Sequence, residues 1–147
     1  MRYFIFVVLL LSACSAAANS LPELLQSAPE SWATVDVDEL NARVGEAVAA
    51  DEAWPRSPLL LVLHLIGGDM DTRSLVIEEL KNRSEGADAT KIVCIRDGFL
   101  DDSIRGDWWE MDLRRMPDGT WRVSESRIAI RCWRSENTSA YQEKPCP

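Results

Sequence analysis

The chain predicts an α+β domain in which two N-terminal helices pack on a four-stranded antiparallel β-meander and a disulfide closes the C-terminal tail. Three observations carry that prediction. Between Asp36 and Ile66, apolar residues recur at helical spacing behind two capping signals. Between Ser74 and Arg134, four apolar segments are separated by turn-rich pieces. Beyond them, Cys132 and Cys146 flank a short polar tail.

The first helix opens at Asp36, whose carboxylate suits a cap for backbone amides, with Glu39 in the capping-box position. Leu40, Val44, Ala47 and Val48 then recur at helical spacing. Gly45 weakens the helix by up to about 1 kcal/mol relative to Ala, yet the pattern runs to about Ala53, where Trp54-Pro55 ends it. Ser57-Pro58 is a second start signal, a hydroxyl cap followed by proline where a missing amide costs nothing. Leu59 to Ile66 form the second helix, apolar all round except for His64 and therefore expected to be buried, with Gly67-Gly68 as its stop. A strand is the competing assignment for 59–66, and Pro58 with the leucine richness favours the helix. In that setting His64 reads as a packed core or edge histidine rather than a catalyst.

The four strands are expected at 74–82, 90–97, 107–115 and 120–134, with Lys81 to Ala89 as a loop. The first also fits a helix face through Leu75, Val76 and Leu80. The firmest feature is the hairpin at Pro117-Asp118-Gly119. Before it Trp109, Met111 and Leu113 alternate with charged residues, and after it Trp121 and Val123 alternate with Arg122 and Ser124. Farther along, the apolar parity switches to Ile128, Ile130 and Cys132, so a bulge or bend is required between Ser124 and Arg127 if both sets face one core.

The N-terminus supplies an address. Met1 and Arg2 precede nine apolar residues, Tyr3 to Leu11, enough for an export signal and too few to span a bilayer. The run ends in Leu11-Ser12-Ala13-Cys14, which resembles the bacterial lipobox. That resemblance implies cleavage before Cys14, acylation of Cys14, and, with Ser15 next to it, an outer-membrane, periplasm-facing location in a Gram-negative cell. Plain secretion or a soluble periplasmic form is the alternative. The expected organisation is signal peptide 1–13, lipidated Cys14 and tether 14–35, and one domain 36–147, the tether averaging roughly 20–25 Å by the flexible-chain estimate. Removing 13 residues from 147 leaves 134, the size of a single domain. Loss of Arg2 leaves 15 basic against 24 acidic residues, a net charge near −9, which argues against a nucleic-acid partner.

With Cys14 acylated, three cysteines remain. Cys132 and Cys146 are the expected pair, closing a loop of ~15 residues that contributes roughly 3 kcal/mol. Cys94 lies in an apolar strand and is expected to be a buried free thiol, with Cys94–Cys132 and Cys94–Cys146 open as alternatives. No Cys-x-x-Cys spacing suggests zinc, and no cofactor is expected.

A second resemblance covers roughly 58–147. Asp-Gly-Phe-Leu-Asp-Asp-Ser-Ile-Arg-Gly (97–106), Asp-Gly-Thr-Trp-Arg-Val (118–123), Arg-Cys-Trp-Arg (131–134) and the final Cys-Pro resemble a group of uncharacterised small exported bacterial proteins. In these a Gly-Leu-Ala-Asp-Asp-Ser-Val-like loop, a Gly-x-Trp hairpin and an Arg-Cys…Cys tail recur. The resemblance implies no activity. The chain also departs from the group at Arg134-Ser135-Glu136-Asn137, where the group carries Gly-Arg-Gly-His.

Two constellations are left as candidate sites. Asp97, Asp101, Asp102 and Asp107 gather carboxylates in one stretch, a weak metal alternative lacking the spacing of an EF-hand loop, and Asp and Ser also serve tight turns there. Trp108 and Trp133 have the parity opposite to their apolar neighbours, so with Arg122 and Arg131 they are expected to form an exposed binding surface. With no phosphate loop, nucleophile elbow or His-based triad in the sequence, the expected role is non-catalytic: a lipid-anchored binding or structural module with an envelope protein as its candidate partner. The alternatives are an acidic inhibitor or immunity-type protein against a basic hydrolase, and a metal-assisted enzyme using Asp97–Asp107.

Overall fold

The computed structural model describes residues 28–67 and 71–147. The signal segment, Cys14 and most of the tether lie outside the described residues. Among those described, no helix is long and apolar enough to cross a membrane. The order is β1 (Ala33–Thr34), α1 (Val37–Ala49), α2 (Pro58–Leu65), β2 (Ser74–Lys81), β3 (Ala89–Asp97), β4 (Ile104–Arg115) and β5 (Trp121–Cys132), with a 3₁₀ turn at Trp54–Arg56. The strands form one antiparallel sheet in the order β1-β5-β4-β3-β2.

The sheet therefore has five strands, one more than the sequence predicts. The added strand is two residues long, Ala33 and Thr34 opposite Ile128 and Arg127, too short for any periodicity to reveal. It also means that the end of the segment expected to be tether is built into the fold. The Glu30 amide donates to the Tyr141 carbonyl, the Val35 amide to that of Ser126, and the Ser31 hydroxyl accepts from the Glu143 amide.

Both helices start at their capping signals. The Asp36 carboxylate accepts from the Asp38 amide at 2.9 Å, and the Ser57 hydroxyl accepts from that of Leu60 at 3.4 Å with Pro58 at the first helical position. Helix α1 stops at Ala49, four residues short of expectation, because Asp51 takes a left-handed conformation at φ 53° and turns the chain into the 3₁₀ segment. Helix α2 is not buried all round. Its eight residues offer Leu61, Val62 and Leu65 to the sheet, whereas Leu59, Leu60 and His64 lie on the other side of the helix, where no described residue covers them fully. His64 stacks on Trp54 at 4.8 Å between ring centres, an edge position.

The bulge falls where the apolar parity requires it. Asp112 pairs with Glu125 but Leu113 pairs with Val123, so Ser124 is the extra residue, its hydroxyl donating to the Asp112 carbonyl. That single residue lets Trp121 and Val123 share a face with Ser126 and Ile128. On this face Leu40, Val44, Leu61, Val62 and Leu65 of the helices meet Ile92, Met111, Leu113, Trp121 and Val123. The Asn41 side chain ties α1 to the sheet, donating to the Val123 carbonyl and accepting from its amide.

The opposite face is also covered, by the segment just before β1 and by the C-terminal tail. Val93, Ile95, Trp108 and Ala129 pack with Tyr141 from the tail and Trp32 from the segment before β1. The Cys132–Cys146 bridge closes the tail, and the Ile130 and Gln142 backbones exchange two hydrogen bonds of 2.8 Å. Cys94 is a buried free thiol.

Candidate functional site

The loops at one end of the sheet, residues 66–67, 71–73, 98–103 and 133–140, bring together most of the charged and aromatic groups singled out in the sequence. The β3–β4 connection sets this geometry. Gly98 adopts φ 81°, and a Cβ there would lie 2.5 Å from the Arg73 Cβ; at Gly106 it would lie 2.2 Å from the Arg96 carbonyl oxygen. Only glycine allows these close approaches. Between them Asp101 folds onto the backbone, accepting from the amides of Ser103 at 2.7 Å and Ile104 at 2.6 Å. The Ile104 and Ser103 amides hold its carboxyl below the usual aspartate value.

Asp97, at the end of β3, is the centre of a buried ionic cluster. Its side chain is 3% exposed and meets three guanidiniums: Arg105 at 3.1 Å and Arg131 at 3.3 Å on one oxygen, Arg73 at 3.3 Å on the other. Arg105 and Arg131 both donate to the Thr138 carbonyl, which fixes the tail loop to the cluster. Arg131 lies over the Tyr141 ring at 5.5 Å and Arg105 over the Trp133 ring at 5.1 Å. Burial raises the Tyr141 phenol above its ordinary value. Three cations on one carboxylate leave this cluster with two excess positive charges within a strongly acidic chain.

A second buried pair lies on the helix-covered face. The Arg96 Nε donates to Asp107 at 2.9 Å, and its guanidinium also reaches the Gly67 carbonyl at 3.0 Å beyond the end of α2. Asp107 accepts from the Trp109 indole as well. Phe99 covers Arg96 at 5.1 Å. Beside this loop a shallow cavity of about 500 Å³ is lined by Arg73, Phe99, Leu100 and Trp133 among others. Leu100 is 89% exposed and Trp133 39%.

Several expected site residues are placed differently. Trp108 is not on a solvent face: it is 7% exposed and packs edge-on against Trp32 and Tyr141. Its parity correctly sets it opposite the helices, but the segment before β1 and the C-terminal tail cover that side. Arg122 donates to the Asn41 carbonyl of α1 and belongs to the helix–sheet contact, whereas Arg131 and Trp133 remain at the loop end. The proposed surface is thus split. Asp97, Asp101 and Asp102 form no joint metal site, since Asp97 is committed to arginines and Asp101 to backbone amides. Among the described residues, no group of three or more His, Cys, Asp or Glu is placed to hold a metal ion. Arg73, Phe99, Leu100 and Arg105 joined the site unforeseen. The available signal was the apolar pair Phe99-Leu100 inside an otherwise polar turn sequence.

Comparison with protein-family models, with curated proteins and with solved structures finds no match.

Proposed function

We propose that this chain is a lipid-anchored bacterial envelope protein, attached at Cys14 to the outer membrane and facing the periplasm, that acts as a non-catalytic binding or structural module. The observation that carries the non-catalytic reading is the commitment of the reactive groups at the loop end. Asp97 is enclosed by arginines, Asp107 pairs with Arg96, and Asp101 serves its own turn. Cys94 is buried, and that burial pushes its thiol up to about 11, away from the thiolate needed for nucleophilic work. What the same end offers to solvent is contact surface, Leu100 and Trp133. The Cys132–Cys146 bridge supports an oxidising compartment, and the lipobox resemblance of Leu11-Ser12-Ala13-Cys14 supports the anchor.

Membrane fractionation tests this reading. The wild-type chain is expected to stay with outer membranes through salt and carbonate washes and to enter the detergent phase, whereas Cys14→Ser loses both properties. Identical partitioning of the two chains would overturn the anchor.

The inhibitor alternative has less support. A groove beside the acidic residues, lined by Asp36, Glu110, Asp112 and Glu125, also contains Lys91 and Arg127. Lys91 sits 3.1 Å from Asp112, and Arg127 donates to Glu110 at 3.0 Å. Such a surface is mixed in sign rather than a uniform counterpart for a basic enzyme.

A further inference from the structure

We infer that the loop end of the sheet is the membrane-facing end of the domain, with Leu100 and Trp133 resting in the headgroup region of the bilayer that holds Cys14. This rests on the anchoring proposed above and adds an orientation and a contact surface to it.

The direction in which the chain leaves the fold carries the inference. Strand β1 runs opposite to β5, with Thr34 facing Arg127 and Ala33 facing Ile128, so tracing the chain back towards its start moves along β5 towards Cys132. At Glu30 the chain is bonded to Tyr141, whose neighbour Gln142 pairs with Ile130. The start of the described chain is therefore directed towards the end where the Trp133 amide donates to the Ser103 carbonyl and the 98–103 loop projects. Cys14 lies fourteen residues before Ala28, a span of at most about 50 Å even when fully extended. An anchor on so short a lead, attached at this end, favours presentation of the same end to the bilayer.

The exposed chemistry there suits a lipid interface. Leu100 projects from the turn tip as the most exposed large apolar side chain among the described residues, and Trp133 lies beside it around the cavity. An indole held under a guanidinium matches the headgroup depth, where amphipathic rings collect. Arg73, with its side chain 74% exposed, has an aliphatic stem to lay on apolar surface and a charged head for phosphate oxygens. Asp101 and Asp102 follow Leu100 and offset the two excess positive charges of the Asp97 cluster, so an excess of anionic lipid gives no advantage. The contact is with neutral headgroups, apolar in origin and insensitive to salt. The buried Asp97 cluster holds the loop and tail in place beneath it.

The test uses the full lipidated chain in phosphatidylethanolamine-rich vesicles. An environment-sensitive fluorophore is attached through Leu100→Cys or, at the far end of the sheet, through Ser84→Cys, both exposed positions. Acylation of Cys14 is read separately from the intact mass. The label at position 100 should be blue-shifted and quenched by brominated acyl chains, unchanged in high salt, and the label at 84 should stay aqueous. Trp133→Ala should weaken the quenching at 100 without releasing the protein from the vesicles. An acylated chain whose two labels are equally aqueous overturns the orientation alone. A chain with no acyl group on Cys14 overturns both the orientation and the anchoring beneath it.

Discussion

Asp97 shows how a residue that looks like a ligand in sequence becomes a structural centre. Removing its charge leaves Arg105 and Arg131 facing each other at a largely buried site, so Asp97→Asn is expected to destabilise the domain by about 3–5 kcal/mol in denaturant titration. Arg73→Ala, which removes a guanidinium that is itself largely exposed, should change stability by no more than about 1 kcal/mol. Equal effects would mean that the cluster does not depend on burial. Asp101 sets a pH dependence. Backbone amides lower its folded-state carboxyl value, so its contribution is complete above its unfolded value near pH 3.9 and is lost as pH falls through the folded value. The stability gap between wild type and Asp101→Ala should therefore narrow in strong acid, a trend readable from unfolding curves at a series of pH values. Cys94 should resist thiol reagents in the native Cys14→Ser chain and react once the chain is unfolded.

At the scale of elements, the hairpin, the bulge and the bridge were legible because each leaves a local mark. Asp118-Gly119 supplies the turn: Gly119 takes φ 85°, and Asp118 accepts from the Thr120 amide. The parity switch in β5 marks Ser124, since an odd offset between two apolar sets admits no regular strand facing one core. Deletion of Ser124 should return Trp121 and Val123 to the wrong face and abolish cooperative unfolding in thermal melts, whereas Ser124→Ala should be tolerated. Less legible were the features that depend on distant partners. Strand β1 is held by β5 and the tail rather than by its own pattern, and the short α2 leaves Leu59 and Leu60 exposed among the described residues. Trp108 had a readable parity, but nothing near it in sequence announced that Trp32 and Tyr141 would meet it across the sheet. The candidate site was half legible for the same reason. Its loop stands out in composition, whereas the convergence of Arg73, Arg105 and Arg131 on Asp97 is set by strand register.

At the scale of the whole molecule, the sheet has helices on one face and the segment before β1 with the C-terminal tail on the other, so the tail is part of the core rather than an appendage. Reduction of Cys132–Cys146, or Cys146→Ser, should therefore lower stability by roughly 3 kcal/mol by the chain-entropy model and loosen Tyr141, seen as increased solvent exposure of Trp108. The start of the described chain is directed towards the end that carries the tail and the 98–103 loop, which gives the domain a polarity. On the proposed reading the domain is tethered at that end and acts there as an envelope contact, and the formal net charge of −8 disfavours bulk electrostatic attraction to nucleic acid.

The most direct measurement is the mass of the N-terminal peptide of the protein purified from bacterial envelopes. A mature chain beginning at Cys14 and carrying diacylglycerol on its sulfur, with or without a third acyl chain on its amine, is the predicted result. A chain that begins at another residue, or at Cys14 with no lipid, would contradict the account.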